Sequence, residues 1–154
     1  GVLLAKALGY GFVDVDLVIQ HREGALLQEI LDSRGRDSFL DAEERAVLEL
    51  DCRRTVIAPG GSAVCRGGAA RRLQALGTVV YLNVPLEELL RRIRNLSQRG
   101  IAMEPGQTLA DVLAFRDPLY RRYAELVVDC PAGQALEHTV PLVRQALEER
   151  GLLR

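Results

Sequence analysis

Four short apolar runs constrain what this chain can fold into. Gly11-Phe12-Val13-Asp14, Thr55-Val56-Ile57-Ala58, Thr78-Val79-Val80-Tyr81-Leu82-Asn83 and Leu126-Val127-Val128-Asp129 are strand-like in composition, and the run at 78–83 is the clearest. Long stretches of helical period separate them. Strands spaced this way pair parallel through helical crossovers, because a tight hairpin cannot join them. The expected architecture is therefore a three-layer α/β/α fold built on a parallel sheet, covered on both faces.

The helical stretches follow from the same periodicity. Leu4, Ala7 and Leu8 share a face, and Gly9 suits a helix C-terminus. Leu17–His21 and Ala25–Ser33 read as helices, the second with Leu27, Ile30 and Leu31 together. Ser38–Leu50 is another, with Asp41, Glu43 and Glu44 in its N-terminal half, where the helix dipole favours anions. Further helices are expected at Arg66–Leu76, at Leu86–Leu96 behind Pro85, and at about Leu109–Glu125. The last helix carries Leu136, Val140, Val143 and Leu147 on one stripe. About residues 97–107, with Gly100, Pro105 and Gly106, the period is lost, and a loop of that length is expected to be a lid or binding loop. Residues 1–154 read as one domain, without repeats. The chain opens Gly1-Val2-Leu3-Leu4 with neither Met nor a helix cap, and reads as truncated at its N-terminus.

Charge and cysteine usage narrow the function classes. Lys+Arg number 20 against 21 for Asp+Glu, and this absence of basic excess argues against a nucleic-acid partner. No apolar run approaches the ~18–20 residues of a membrane helix, and no signal peptide is evident, so no membrane partner is expected. Cys52, Cys65 and Cys130 are scattered without metal spacing and read as idle thiols in a reducing cytoplasm.

Two strand ends carry the chemistry. Asp14 and Asp16 close the first run; in a strand, that spacing points both carboxylates to one face. Pro59-Gly60-Gly61-Ser62 closes the second with a Gly pair that lets backbone approach a ligand closely. Ligands of open α/β sheets bind beyond the carboxyl ends of the strands, where both features lie.

Asp14-Val-Asp16, Gly60-Gly61, the Val-Val-Tyr-Leu run at 79–82, Arg99 and Arg116-Asp-Pro-Leu-Tyr120, taken in order, resemble shikimate kinase, among the P-loop nucleoside-monophosphate-kinase-like enzymes. The similarity runs across essentially the whole chain. It implies a P-loop kinase fold whose first strand and P-loop lie outside these 154 residues, which alone should then not turn over ATP. It further implies ATP-dependent phosphorylation of the shikimate 3-hydroxyl, a step of chorismate and aromatic amino-acid biosynthesis, with ATP and Mg²⁺ required. Asp14 matches the acid that helps hold Mg²⁺, and Asp16 the acid that binds the substrate hydroxyls and is the candidate base. Gly60 and Gly61 match the substrate-contacting loop, and Arg116 an arginine for the substrate carboxylate. Arg99 sits at the lid arginine, reaching toward the transferring phosphate, and Arg92 at the arginine lying against adenine. His21 and His138 match no functional position. The partner implied is a small molecule, shikimate or a similar polyol acid, handled by a monomer.

Three positions depart from the family pattern. Leu40 stands where an arginine pairs with the substrate carboxylate, Ser62 replaces a third glycine, and Arg99-Gly100-Ile101-Ala102 replaces Arg-Pro-Leu-Leu. All three bear on the acceptor pocket or its cover. They keep open a different hydroxylated acceptor, or a catalytically weak relative that binds ligand for regulation or assembly. Arg36, four residues before Leu40, is the candidate replacement for the missing cation.

Overall fold

The computed structural model describes residues 1–93 and 101–153. Helix α1 (Val2–Leu8) ends on Gly9, whose φ of 63° is the left-handed conformation that glycine adopts without strain. Strand β1 (Gly11–Asp14) follows and runs parallel to β2 (Thr55–Ala58), with Asp14 opposite Ala58. The connection between them carries α2 (Val15–Glu23) and α3 (Leu27–Leu48). After β2, a 3-10 turn (Ala63–Cys65) leads into α4 (Gly67–Leu76). Strand β3 (Val80–Asn83) is parallel to β4 (Leu126–Asp129), with α5 (Leu86–Arg92) and α6 (Leu109–Tyr123) between them. A second 3-10 turn (Leu136–His138) precedes α7 (Thr139–Glu149). Both pairs are parallel and joined by helices, as the spacing of the apolar runs predicts.

Two apolar clusters hold these layers together. Val15, Ile19, Ile30, Phe39, Leu40, Ala46 and Val47 bring α2 and α3 together, with Ile57 of β2 and Leu73 of α4 packed against them. Leu126 and Val128 of β4 meet Val143 and Leu147 of α7, with Leu4 of α1 alongside. Burying a Leu, Ile, Val or Phe side chain contributes about 1.5–3 kcal/mol, and of these residues Leu4, Ile30, Val143 and Leu147 sit on the predicted stripes.

The helices expected at Ala25–Ser33 and Ser38–Leu50 are both present within α3 and meet at a kink at Gly35, whose φ of 76° and ψ of 172° break the helical path between them. Two readings need correction. The third strand begins at Val80, two residues late, and the Val79 carbonyl before it accepts from the backbone N–H groups of Glu125 and Leu126. The second concerns Asp14 and Asp16. Helix α2 starts at Val15, so Asp16 lies in a helical first turn and the alternation of a strand does not apply to the pair.

Candidate active site

The Asp14 side chain is the N-cap of α2: its Oδ1 accepts the Asp16 N–H at 3.0 Å, which satisfies one of the orphan donors of the helix start. Asp14 is thereby fixed at the strand end. The Asp16 carboxyl projects into a cleft of about 580 Å³ that is also lined by Gly60, Gly61, Ser62, Arg116 and Tyr120. The sequence-derived acceptor residues thus converge on one cavity. Phe39, Leu82, Val84, Ile101, Val112 and Leu113 supply much of its apolar wall.

The two glycines form the seam of this cleft. A Cβ on Gly60 would lie 2.5 Å from Glu43 Oε1 and 3.1 Å from Asp16 Oδ1. One on Gly61 would lie 3.1 Å from the Tyr120 hydroxyl and 3.5 Å from Arg116 Nη1. Neither glycine has positive φ, so they are needed for closeness and not for backbone conformation. One residue along the chain therefore separates an acidic flank from a basic one.

Helix α6 positions the basic flank. Thr108 and Asp111 form a reciprocal capping box that starts it. The Tyr120 hydroxyl donates to the Gly61 carbonyl at 2.6 Å and ties the glycine loop to α6. The Tyr81 hydroxyl donates to Asp117 Oδ1 at 2.8 Å, and its ring lies 4.9 Å from that of Tyr120. Arg116 is 6% exposed and donates through Nη2 to the Ala102 carbonyl at 2.7 Å. Its Nε is buried without a partner, and it forms no ion pair among the described residues. A buried guanidinium without a counter-charge is costly, and an anionic ligand would offset that cost.

Glu43, read from the sequence as one of three acids in the N-terminal half of its helix, is a buried group. It is 1% exposed, two turns past the kink, and neither carboxylate oxygen has a hydrogen-bond partner among the described residues. Burial pushes its pKa up to about 7; the neighbouring Asp16 adds to the shift, while nearby Ser62 and Arg116 hold it back. Asp16 is likewise raised, first by burial and then by the Asp14 charge. The signal for Glu43 was its place on the apolar stripe Phe39, Glu43, Ala46, Leu50, where an acid is out of pattern. Tyr81 and Tyr120 belong to the sequence motifs, and their hydrogen bonds to Asp117 and to the Gly61 carbonyl are what tie them into the site.

Of the remaining expected residues, only Arg92 falls within the described part of the chain. Arg92 does not line the cleft: its Nε pairs with Glu88 Oε1 at 2.5 Å and its Nη2 reaches the Gln134 carbonyl at 3.2 Å. Glu88, held by Arg91, Arg92 and the Gly133 N–H, has its pKa lowered to about 2 by those bonds. Arg99 lies outside the described residues, as does the first part of the expected lid. Leu40 is 1% exposed within the main core and does not line the cleft.

Comparison with known proteins agrees with this geometry. A family model described as shikimate kinase matches residues 1–145. The shikimate kinase of Paracidovorax citrulli is 37% identical over 154 residues, spanning 97% of this chain and 84% of that protein. That of Pseudomonas aeruginosa is 41% identical over 133 residues, spanning 84% and 77%. Among solved structures, shikimate kinase from Acinetobacter baumannii in complex with shikimate matches with a TM-score of 0.88 and 30% identity, over 99% of this chain and 86% of that one. Shikimate kinase from Aquifex aeolicus matches with a TM-score of 0.81 and 26% identity, over 100% and 90%.

Proposed function

The chain belongs to the shikimate kinase family, and from that premise we propose that its cleft binds shikimate and presents the 3-hydroxyl to the γ-phosphoryl group of ATP. The observation that carries this reading is the polarity across Gly60 and Gly61, with carboxylates on one flank and an unpaired buried guanidinium on the other. A polyol acid matches it end for end. Its carboxylate meets the planar fork of Arg116, and its hydroxyls meet Asp16 and the glycine-loop backbone.

Phosphoryl transfer asks a protein mainly for positioning and charge stabilisation. Asp16 accepts the hydrogen bond of the attacking hydroxyl, and its raised pKa brings it closer to the range of a useful base. Asp14 suits a role near Mg²⁺. Only its Oδ1 is used by the cap among the described residues, and this cation needs one or two carboxylates beside phosphates and water. When bound, the ion would neutralise charge on the phosphates. No group of three or more His, Cys, Asp or Glu residues suited to a metal occurs among the described residues, so a cage made wholly of protein is not part of this reading. Arg99 is assigned to the phosphate side from a lid at 97–107, and Arg92 to the nucleotide side. The 154 residues are read as one domain of a cytoplasmic monomer that acts on a small molecule, without a nucleic-acid or membrane partner. Its three free cysteines suit a reducing compartment, and no described helix is long and apolar enough to cross a membrane.

Replacing Arg116 by glutamine in the full-length protein tests the orientation. Loss of one charge-assisted contact of about 1.5–3 kcal/mol should raise KM for shikimate roughly 10- to 100-fold. Shikimate methyl ester, which lacks the anion, should be affected much less. Equal effects of the substitution on acid and ester would place the carboxylate elsewhere.

A further inference from the structure

The glycine loop between β2 and α4 is tied down through its carbonyls and not through its N–H groups. The Gly60 carbonyl accepts from the Ala63 N–H at 3.2 Å, and the Ser62 carbonyl from the Cys65 N–H at 2.8 Å. The carbonyl between them, that of Gly61, is taken by a side chain, the Tyr120 hydroxyl, at 2.6 Å. Among the described residues, the N–H groups of Gly60, Gly61 and Ser62 donate to no protein acceptor. All three residues line the main cleft, and Ser62 is 5% exposed. Backbone donors left without a protein acceptor in a cleft wall are costly to bury, and the oxygens of a ligand would satisfy them.

We propose that Tyr120 is a positioning residue of the acceptor site, whose hydroxyl holds the Gly61–Ser62 peptide so that the Ser62 N–H faces the hydroxyl oxygens of the bound acceptor. The proposal rests on the acceptor reading above and deepens it by naming the side chain that orients the loop. A trans peptide is planar, with its C=O and N–H pointing to opposite sides, so a bond that fixes the Gly61 carbonyl fixes the Ser62 N–H as well. Tyr120 is itself held in place. Its ring lies 4.9 Å from that of Tyr81, and the Tyr81 hydroxyl and Arg121 Nε both bond Asp117 on the same helix, each at 2.8 Å. Little side-chain freedom is therefore left to lose when the Tyr120 hydroxyl makes its bond. Burial pushes the pKa of that hydroxyl up, against the nearby Arg116 guanidinium, so it stays a proton donor at neutral pH. A Cβ on Gly61 would stand 3.1 Å from the hydroxyl, tighter than an ordinary contact, so glycine leaves this bond room to form.

The test compares the full-length protein with its Tyr120→Phe variant, which keeps the ring and loses the hydroxyl, by calorimetric titration and steady-state kinetics. Shikimate binding should weaken about 3- to 10-fold, the scale of one neutral hydrogen bond, while KM for ATP stays within about twofold. Shikimate methyl ester should lose affinity by the same factor, because the loop meets the hydroxyl end of the acceptor. Unchanged shikimate affinity would overturn the proposal, and so would an equal weakening toward ATP, the mark of a loosened fold. A loss confined to the acid would overturn it too, since Tyr120 would then act through Arg116. Nitrogen-15 NMR of the unmodified protein gives a measurement that does not depend on the variant folding. The Ser62 amide signal should move when shikimate is added. An amide signal unmoved at saturating shikimate would overturn the positioning role while leaving the kinase reading intact. Failure of the unmodified protein to bind either compound would overturn the acceptor reading itself.

Discussion

Asp16→Asn is expected to lower turnover by about 10²- to 10⁴-fold, the range associated with removing a positioned acid–base group, while KM for ATP changes little. The side chain keeps its shape and loses the negative charge that accepts the hydroxyl proton. Asp14 keeps its cap, because the bond at 3.0 Å comes from the backbone N–H of residue 16 and not from its side chain. The substitution therefore removes the chemistry of Asp16 while sparing the helix start. Steady-state kinetics on the full-length protein with turnover near the wild-type value would remove Asp16 from the mechanism.

Glu43→Gln is expected to stabilise the protein above neutrality. The folded state holds the Glu43 proton with a pKa of about 7, against 4.5 for the ordinary side chain, so folding takes up a proton between those values. The stability associated with this group is fully present below about pH 4.5 and falls as the pH rises through about 7. A shift of that size corresponds to about 3 kcal/mol lost by pH 8. Glutamine mimics the protonated acid at every pH, so the variant should match the wild type near pH 4.5 and exceed it by about 3 kcal/mol at pH 8. Denaturant unfolding across that range checks both the magnitude and the slope. Parallel pH profiles for the two proteins would mean that Glu43 finds a partner in solution. In that case its two buried oxygens are not the orphans they are here.

The fate of Glu43 also shows where reading the chain reached its limit. The strands at 11–14, 55–58 and 126–129 were legible because each short apolar run stops at a turn or polar residue. Helix α4 and the αL stop at Gly9 were legible from local chemistry, and Asp16, Gly60, Gly61 and Arg116 from ordered motifs that one cavity does bring together. Glu43 was grouped with Asp41 and Glu44 by its place in the helix, although its position on an apolar stripe marks an acid that the fold buries. Leu40 illustrates the same point. Its loss of charge was legible as a weaker substrate contact, yet it also lies one helical turn from Glu43 and offers that carboxylate no cation. The common face assumed for Asp14 and Asp16 failed because a strand turned into a helix between them. That switch depends on the cap made by Asp14 itself. The Gly35 kink was legible only as an interruption, since the direction in which it sends Arg36 is set by φ and ψ and not by composition.

The most direct test of the central claim is phosphorus NMR of the full-length protein incubated with ATP, Mg²⁺ and shikimate. The account predicts ADP together with a single new phosphomonoester, coupled to the ring proton at carbon 3 of shikimate. ATP left unspent with shikimate, while an uncharged polyol is phosphorylated in its place, would contradict it.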